Sequence, residues 1–368
     1  MEFNKISRNG IKPLYKQIKE LILENIKEGN LSEGEMLPTE RILCEKTGVS
    51  RHTIRKGVSE LVEEGVLYRV QGKGTFVFEE SGLSSYETES NTIGVILPLN
   101  SDGGYERKIL NGIDEIIRKN DFNLNFSASN DVFDIEKKSI KKFIAEGVAG
   151  LIIMPTEEQE DSEMIKKLKR DNIPFVLVDR KVPGFDMDCV MSSNTDGGYK
   201  ATEHLIKRGH QKIAFVQGRE MNLSSLKDRF EGYKKALSDY GIPYNKKMRL
   251  VFDSYVEEKM RNKIYQFIKQ KSPEAVFALN DDIALKVYKV CRQNDIEIPE
   301  QLSLVGFDDI EAGKHIEVPL TTVAQYPCEM GKLAARRLLE KLEKGTAGQP
   351  EIYKQIYYPV QLIIRKST

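Results

Sequence analysis

The chain has 368 residues, 40% of them hydrophobic and 30% charged, which suits two or three globular packing units and excludes a fibrous or disordered polymer. Lys+Arg and Asp+Glu both number 56, so no net charge draws the molecule onto nucleic acid, and any DNA affinity has to be local. No apolar run approaches the roughly 20 residues of a spanning helix, the N-terminus lacks the apolar core of a secretory signal, and Cys44, Cys189, Cys291 and Cys328 have no paired spacing; these features predict a cytoplasmic protein with isolated thiols and exclude a membrane, a metal site and a disulfide framework.

Pro13 opens a helical stripe of Leu14, Ile18, Leu21, Ile22 and Ile26 that stops near Gly29. A short second helix is predicted from the Thr39 cap to Gly48. A third follows at once, capped by Ser50, with Ile54, Val58, Leu61 and Val62 as its core face and Gly65 as its end. The period then changes to two. Val66, Tyr68 and Val70, the tip Gln71-Gly72-Lys73-Gly74, and Thr75 to Phe78 predict a β-hairpin. The first domain thus spans 1–78, and the acidic, serine-rich residues 79–91 form a linker.

From residue 92 to 368 short apolar strands alternate with amphipathic helices. Strands are expected at Ile93 to Leu99, Leu124 to Ser127, Gly150 to Met154, Phe175 to Asp179, Ile213 to Gln217, Ala275 to Leu279 and Leu302 to Phe307. This alternation predicts parallel sheets covered on both faces, and the length predicts two lobes. Ligands of doubly wound sheets bind beyond the carboxyl ends of the strands, where this chain carries Asp179-Arg180, Gly218-Arg219, Asn280-Asp281 and Asp308-Asp309. A cleft between lobes is the expected binding site.

The joint between the second and third helices has helix-turn-helix spacing, and the stretch from Lys46 to Lys56 contains Lys46, Arg51, Arg55 and Lys56 with no acidic residue. Entry of the third helix into a major groove, N-terminus first, puts Arg51, His52 and Arg55 at base edges and phosphates; Ser50 and Thr53 can position a phosphate. For any one of these residues a plain solvated helix face is an equal alternative. Together with the hairpin they point to DNA. The Gly72-Lys73-Gly74-Thr75 tip lacks the spacing and the strand-to-helix context of a nucleotide-binding loop.

Positions 11 to 78 resemble the GntR family of winged helix-turn-helix regulators. The matching strings are Pro13-Leu14-Tyr15, Leu37-Pro38-Thr39-Glu40-Arg41, Gly48-Val49-Ser50-Arg51, Glu64-Gly65 and Gly72-Lys73-Gly74-Thr75-Phe76-Val77. The resemblance implies phosphate contact by Arg41, base reading by Arg51, His52, Thr53 and Arg55, and minor-groove entry of Gln71, Gly72 and Lys73. Many members carry a smaller residue where this chain has His52, which leaves the operator sequence open.

Residues 92 to 366 resemble LacI/GalR regulator cores and periplasmic sugar-binding proteins. The strings, in order, are Asp196-Gly197-Gly198, Gly209-His210, Arg229-Phe230-Glu231-Gly232-Tyr233, Asn280-Asp281, Val305-Gly306-Phe307-Asp308-Asp309 and Pro319-Leu320-Thr321-Thr322-Val323. By motif position the implied effector contacts are Arg229, Asn280, Asp308 and Gln325, followed by Asp179, Arg180, Ser225, Tyr105 and Tyr255. Carboxylates, amides and guanidinium groups suit sugar hydroxyls, and an aromatic face suits the apolar side of a ring. Plainer roles exist for each: a helix cap for Asp308 or Asp309, an internal salt bridge for Arg229, a strand-end turn for Asn280. His204 and His210 are read as packed or capping residues.

A GntR-type head on such a core is similar to the arabinose-responsive repressors of Gram-positive bacteria. The expected protein is therefore a homodimeric repressor on a pseudo-palindromic operator, released by a small sugar, with L-arabinose implied by the resemblance alone. A hexose, a phosphorylated sugar or a purine, and a ligand that promotes DNA binding, stay open at this point. No cofactor or catalytic residue is expected, since the sequence holds no nucleophile elbow, zinc-protease, dinucleotide or Walker motif; a sugar-processing enzyme using the paired acids Asp281-Asp282 or Asp308-Asp309 is the remote alternative. A flexible linker would decouple head from core unless the head also packs on it.

Overall fold

The computed structural model describes residues 12–32, 35–63, 66–70, 74–77, 90–99, 104–156, 163–170, 172–182, 186–218, 223–252, 256–344 and 353–368. The expected linker, apart from its last two residues, the wing-tip residues Gln71, Gly72 and Lys73, and also Arg219 and Tyr255, lie outside the described residues.

Helix α1 (Leu14–Lys27) buries Ile18 and Ile22. Helix α2 (Glu40–Thr47) begins at Thr39, whose Oγ1 accepts the Ile42 N–H at 3.5 Å, and ends at Gly48, whose φ of 75° closes the helix in the left-handed region. Helix α3 (Arg51–Glu63) is capped by Ser50, whose Oγ accepts the Thr53 N–H at 3.2 Å. The Ile54, Val58, Leu61 and Val62 stripe is buried with Ile18, Ile22, Leu37 and Leu43 in one cluster. A Cβ on Gly57 would stand 2.8 Å from the Tyr15 carbonyl oxygen, so glycine is what lets α1 and α3 cross this closely.

Strands β1 (Leu67–Val70) and β2 (Gly74–Val77) pair antiparallel, with Leu67 opposite Val77. The chain entering α2 is tied to this hairpin: the Leu37 N–H donates to the Thr75 carbonyl at 2.7 Å and the Val77 N–H to the Glu35 carbonyl at 3.0 Å.

The core continues with β3 (Thr92–Leu97), α4 (Gly104–Lys119), β4 (Asn123–Ala128), α5 (Phe133–Ala145), β5 (Gly150–Ile153), α6 (Glu163–Arg170), β6 (Phe175–Val178) and β7 (Cys189–Ser192). Next come α7 (Asn194–Lys207), β8 (Ile213–Gln217), α8 (Ser224–Asp239), β9 (Arg249–Val251), α9 (Glu257–Lys271), β10 (Ala275–Ala278), α10 (Asp281–Gln293), β11 (Ser303–Asp308), α11 (Glu311–Lys314) and β12 (Thr321–Ala324). The chain closes with α12 (Pro327–Lys344), β13 (Gln355–Tyr358) and β14 (Gln361–Ile363). The seven strands expected in the core all form, with ends displaced by at most two residues.

Two compact units result, one of residues 1–191 and 327–359, the other of 192–326 and 360–368. In the first, β4, β3, β5, β6 and β7 run parallel. Val70 of the head pairs with Ile356 of β13, so the hairpin continues that sheet in the order β2-β1-β13-β7-β6-β5-β3-β4. Head and core thus share backbone hydrogen bonds in addition to their chain connection. In the second unit the order is β14-β12-β11-β10-β8-β9, parallel except at β14. Phe215, Phe277, Phe307 and Tyr233 lie at the heart of its core.

His204 and His210 sit as packing residues, their Nε2 atoms 3.0 Å from Thr368 Oγ1 and 2.9 Å from Ser303 Oγ, and burial lowers the proton affinity of both rings. No described helix is long and apolar enough to cross a membrane.

Candidate functional site

In the head, Arg51 and His52 stand exposed on the first turn of α3, and Thr53 is half-buried with its Oγ1 2.9 Å from Ser50 Oγ. Arg55 is exposed but already partnered. Its Nε and Nη2 donate to the two carboxylate oxygens of Glu40 at 3.0 and 2.9 Å, a bidentate bridge from α3 back to α2. Arg41 pairs with Glu45 at 3.0 Å in the same exposed setting. Such solvent-exposed pairs contribute about 0–1 kcal/mol, so a phosphate or base edge can displace the acid at little cost. Lys56 sits over the Tyr15 ring at 3.9 Å. The Arg55–Glu40 bridge was not foreseen; Glu40 lies in a quoted motif, but the crossing of α2 and α3 that brings it to Arg55 is a tertiary feature.

In the first core unit the structure brings Tyr105, Asp179 and Arg180 together beyond the strand ends. The Tyr105 hydroxyl donates to Asp179 Oδ1 at 2.7 Å, and Asp179 holds a left-handed φ of 66°. Arg180 is buried; its Nη1 donates to Asp131 Oδ1 at 2.7 Å and to the Pro155 carbonyl at 2.9 Å. Its Nε lies 3.7 Å from Asp179 Oδ2 and has no hydrogen-bond partner among the described residues. Glu106, one residue along α4 from Tyr105, faces this group, and burial raises its carboxyl pKa against the opposing pull of Arg180. Sequence reasoning missed Asp131 and Glu106. Asp131 carried a usable signal, being a polar residue just beyond the Leu124 to Ser127 strand.

The second unit assembles Arg229, Asn280, Asp308 and Gln325. Arg229 is buried, with Nε donating to Asn194 Oδ1 at 2.9 Å, Nη1 to the Leu279 carbonyl at 3.0 Å, and Nη2 lying 3.2 Å from Asp308 Oδ1. Its guanidinium covers the Phe307 ring at 3.8 Å. Gln325 Nε2 reaches the same Asp308 Oδ1 at 2.6 Å. Asn280 accepts the Ile283 N–H on its Oδ1 at 3.0 Å and so caps α10, a use of the carbonyl that leaves the amide NH2 outside that bond. Ser225 is buried in the first turn of α8. Asn194, Phe307 and Asp281 complete the group without having been singled out as contacts, although Asp281 and Phe307 stand inside quoted motifs. Together these residues offer planar, preset donors and acceptors with little unpaired charge, an arrangement suited to hydrogen-bonding a polar ligand.

Residues 14–77 match the family of bacterial regulatory proteins of the gntR type, and residues 202–368 match a periplasmic binding protein-like domain. The chain is 32% identical over 365 residues to an arabinose metabolism transcriptional repressor of Geobacillus stearothermophilus, covering 97% of this chain and 98% of that one. It is 29% identical over 363 residues to a protein of the same name from Halalkalibacterium halodurans, covering 96% of each. A LacI family transcriptional regulator from Enterococcus faecium, solved with bound ribose, matches 75% of this chain and 98% of its own at a TM-score of 0.62 and 28% identity. Because the similarity runs through head and core alike, the chain belongs to the family of DNA-binding transcriptional repressors that join a gntR-type head to a periplasmic-binding-protein-like, sugar-responsive core, and it is not an enzyme.

Proposed function

We propose that this repressor answers to L-arabinose, acts in the cytoplasm as a homodimer on a pseudo-palindromic operator, and leaves the DNA when the sugar binds. The observation that carries the sugar assignment is similarity over nearly the whole chain to two arabinose metabolism repressors. The charge balance of the candidate effector residues supports a neutral ligand: the Arg180 charge is matched by Asp131 and the Arg229 charge by Asp308, so neither site carries an excess positive charge toward a phosphate. The dimer is supported by the size of the reading helix, which is too small to specify an operator alone. DNA contacts are assigned to Arg41, Ser50, Arg51, His52, Thr53, Arg55, Gln71, Gly72 and Lys73, and effector contacts to Tyr105, Asp179, Arg180, Ser225, Arg229, Tyr255, Asn280, Asp308 and Gln325.

Titration calorimetry of the full chain with L-arabinose, D-ribose, D-galactose and a phosphorylated aldose, paired with electrophoretic shifts on operator DNA, tests the assignment. Micromolar binding of L-arabinose with loss of the shifted band is expected. Binding of another of these compounds with no response to arabinose overturns the sugar, and tightening of the DNA complex by sugar overturns the sign.

A further inference from the structure

Asp281 opens α10 and is almost wholly buried, yet no role in ligand contact was assigned to it. Its two partners are neutral donors: the Thr322 hydroxyl donates to Oδ1 at 2.6 Å and the Ile310 N–H to Oδ2 at 2.9 Å. Room for the carboxylate is made by Gly306, where a Cβ would stand 2.0 Å from Asp281 Oδ1. Three separate stretches, Asn280-Asp281, Gly306 to Ile310 and Thr321-Thr322, therefore converge on one buried group.

The Ile310 N–H bond holds the turn that carries Asp308 and Asp309, which sit at φ values of 109° and 53°. Positive φ is uncommon for a residue with a side chain, and two in succession persist only where the surroundings fix them. Asp308 is in turn the residue that Arg229 and Gln325 both grip. Asp281 thus acts on Asp308 through the turn, without needing to touch the ligand.

Its charge surroundings are also specific. Asp308 and Asp309 face it from the turn; Arg229 of α8 compensates Asp308, and Arg365 and Lys314 of α11 compensate Asp309 at 2.5 and 3.7 Å. Asp282, its neighbour on α10, is exposed. Burial first, and the Asp308 charge second, push the Asp281 carboxyl up to about 7. A neutral ligand covering Asp308 removes water that screens the two carboxylates from each other, and the repulsion is relieved by a proton on Asp281.

We propose that Asp281 is the positioning residue of the effector site and takes up a proton when sugar binds. The inference rests on reading the Arg229–Asp308 group as the sugar-holding face. Linkage gives its sign: a group whose proton affinity rises on binding makes the ligand bind more tightly at low pH, with affinity falling as pH climbs through about 7.

The test is calorimetry of the full chain with L-arabinose from pH 6 to 8.5 in buffers of different ionisation enthalpy, which reads proton uptake directly. Wild type is expected to take up a fraction of a proton near neutrality and to lose affinity several-fold across the range. Asp281→Asn, which keeps the shape and one acceptor, is expected to bind with no uptake and a flat profile. Thr322→Val, which removes a donor that favours the charged form, is expected to move the fall in affinity to higher pH and remains informative if the Asn variant does not fold. No uptake in wild type, or the same uptake in Asp281→Asn, overturns the proposal. D-ribose, D-galactose and D-xylose are titrated in parallel: binding of one of them in place of L-arabinose sinks the arabinose assignment and leaves the proton measurement to be made with that sugar. Absence of binding by all four sinks both.

Discussion

The main-chain carbonyl of Arg229 lies against Gly198 so closely that a Cβ on that glycine would stand 2.1 Å from the oxygen. The contact is reciprocated by Gly232 of α8, where a Cβ would meet the Thr195 carbonyl at 2.1 Å. The first unit repeats the device where α4 crosses α12: Gly112 faces the Cys328 carbonyl and Gly331 the Ile109 carbonyl at 2.1 Å. In each unit a close helix crossing thus positions a helix bearing a candidate effector residue, Arg229 on α8 or Tyr105 on α4. Gly198→Ala has to push α8 away from α7. Such overpacking costs about 1–3 kcal/mol of stability. The Arg229 guanidinium should move with its helix, so sugar affinity is expected to fall more than tenfold while operator binding persists. Unchanged calorimetric affinity in a folded Gly198→Ala protein would show that the crossing does not set the position of Arg229.

In the head, the bridge from Arg55 to Glu40 makes an opposite pair of expectations. Arg51→Ala and Arg55→Ala should each weaken operator binding by about 1–3 kcal/mol and relax base preference, and Lys73→Ala should reduce the salt slope by about 1. Glu40→Gln releases Arg55 and removes a negative charge near the phosphates, so it should tighten binding at low salt. Electrophoretic shifts at two salt concentrations decide the matter. Weaker binding by Glu40→Gln would mean that the carboxylate orients Arg55 for the DNA instead of competing with it.

The head was legible because each of its signals is local. Thr39, Gly48 and Ser50 mark helix ends through bonds to their own neighbours, and the buried stripe of α3 follows from spacing alone. Most of the core strands were legible for the same reason, as short apolar runs between polar ends. Strands β7, β9, β12, β13 and β14 were not foreseen; each is three or four residues long and includes a polar residue, so none shows the unbroken apolar run that marked the equally short β5, β6 and β10. The pairing of Val70 with Ile356 joins residues far apart in sequence and has no local signature at either end. Among candidate effector residues, motif position pointed to Arg229, Asn280, Asp308 and Gln325. It gave no hint that Asp281 supports the turn, because a carboxylate held by one N–H and one hydroxyl looks in sequence like any helix-opening Asp.

Acid should weaken the buried ion-pair cluster of the first unit. Asp188 is fully buried against Arg337 Nε at 2.6 Å and Lys341 Nζ at 2.8 Å, and it accepts the Lys354 N–H at 3.0 Å just before β13. Glu340 joins through Arg337 at 2.7 Å and Lys354 at 2.9 Å. Burial opposes the charge of Glu340, but Arg337 and then Lys354 override it and hold the carboxyl down at about 2. A carboxyl lowered in the folded state contributes stability that is present above its unfolded pKa of about 4.5 and lost as pH falls toward 2. Thermal unfolding from pH 6 to 2.5 should therefore show a loss of stability below about pH 4.5 that is smaller in Glu340→Gln, which starts from a less stable protein. An identical acid profile in the variant would remove Glu340 from the account.

Arg229 gives the last expectation. Its guanidinium ties Asn194, the Leu279 carbonyl, Asp308 and the Phe307 ring into one group, all inside the second unit and remote in sequence from the DNA-reading residues of the head. Arg229→Ala removes the cation from Asp308 and uncovers Phe307, and breaking a buried pair by deleting one partner costs about 3–5 kcal/mol where both groups are fully enclosed. Asp308 is 22% exposed, so water can re-enter and the loss should fall below that range. The variant should fold, shift operator DNA at the wild-type concentration, and stay bound when sugar is added. A sugar-driven repressor needs its ligand to prefer the DNA-incompetent state, and a hundredfold preference corresponds to about 2.7 kcal/mol per site, within what one lost guanidinium can abolish. Lys in place of Arg keeps the charge but not the planar fork, so Arg229→Lys should restore the pair with Asp308 without restoring full sugar response. Release of the alanine variant at the same sugar concentration as wild type would make Arg229 a structural residue and move the effector site elsewhere in the core.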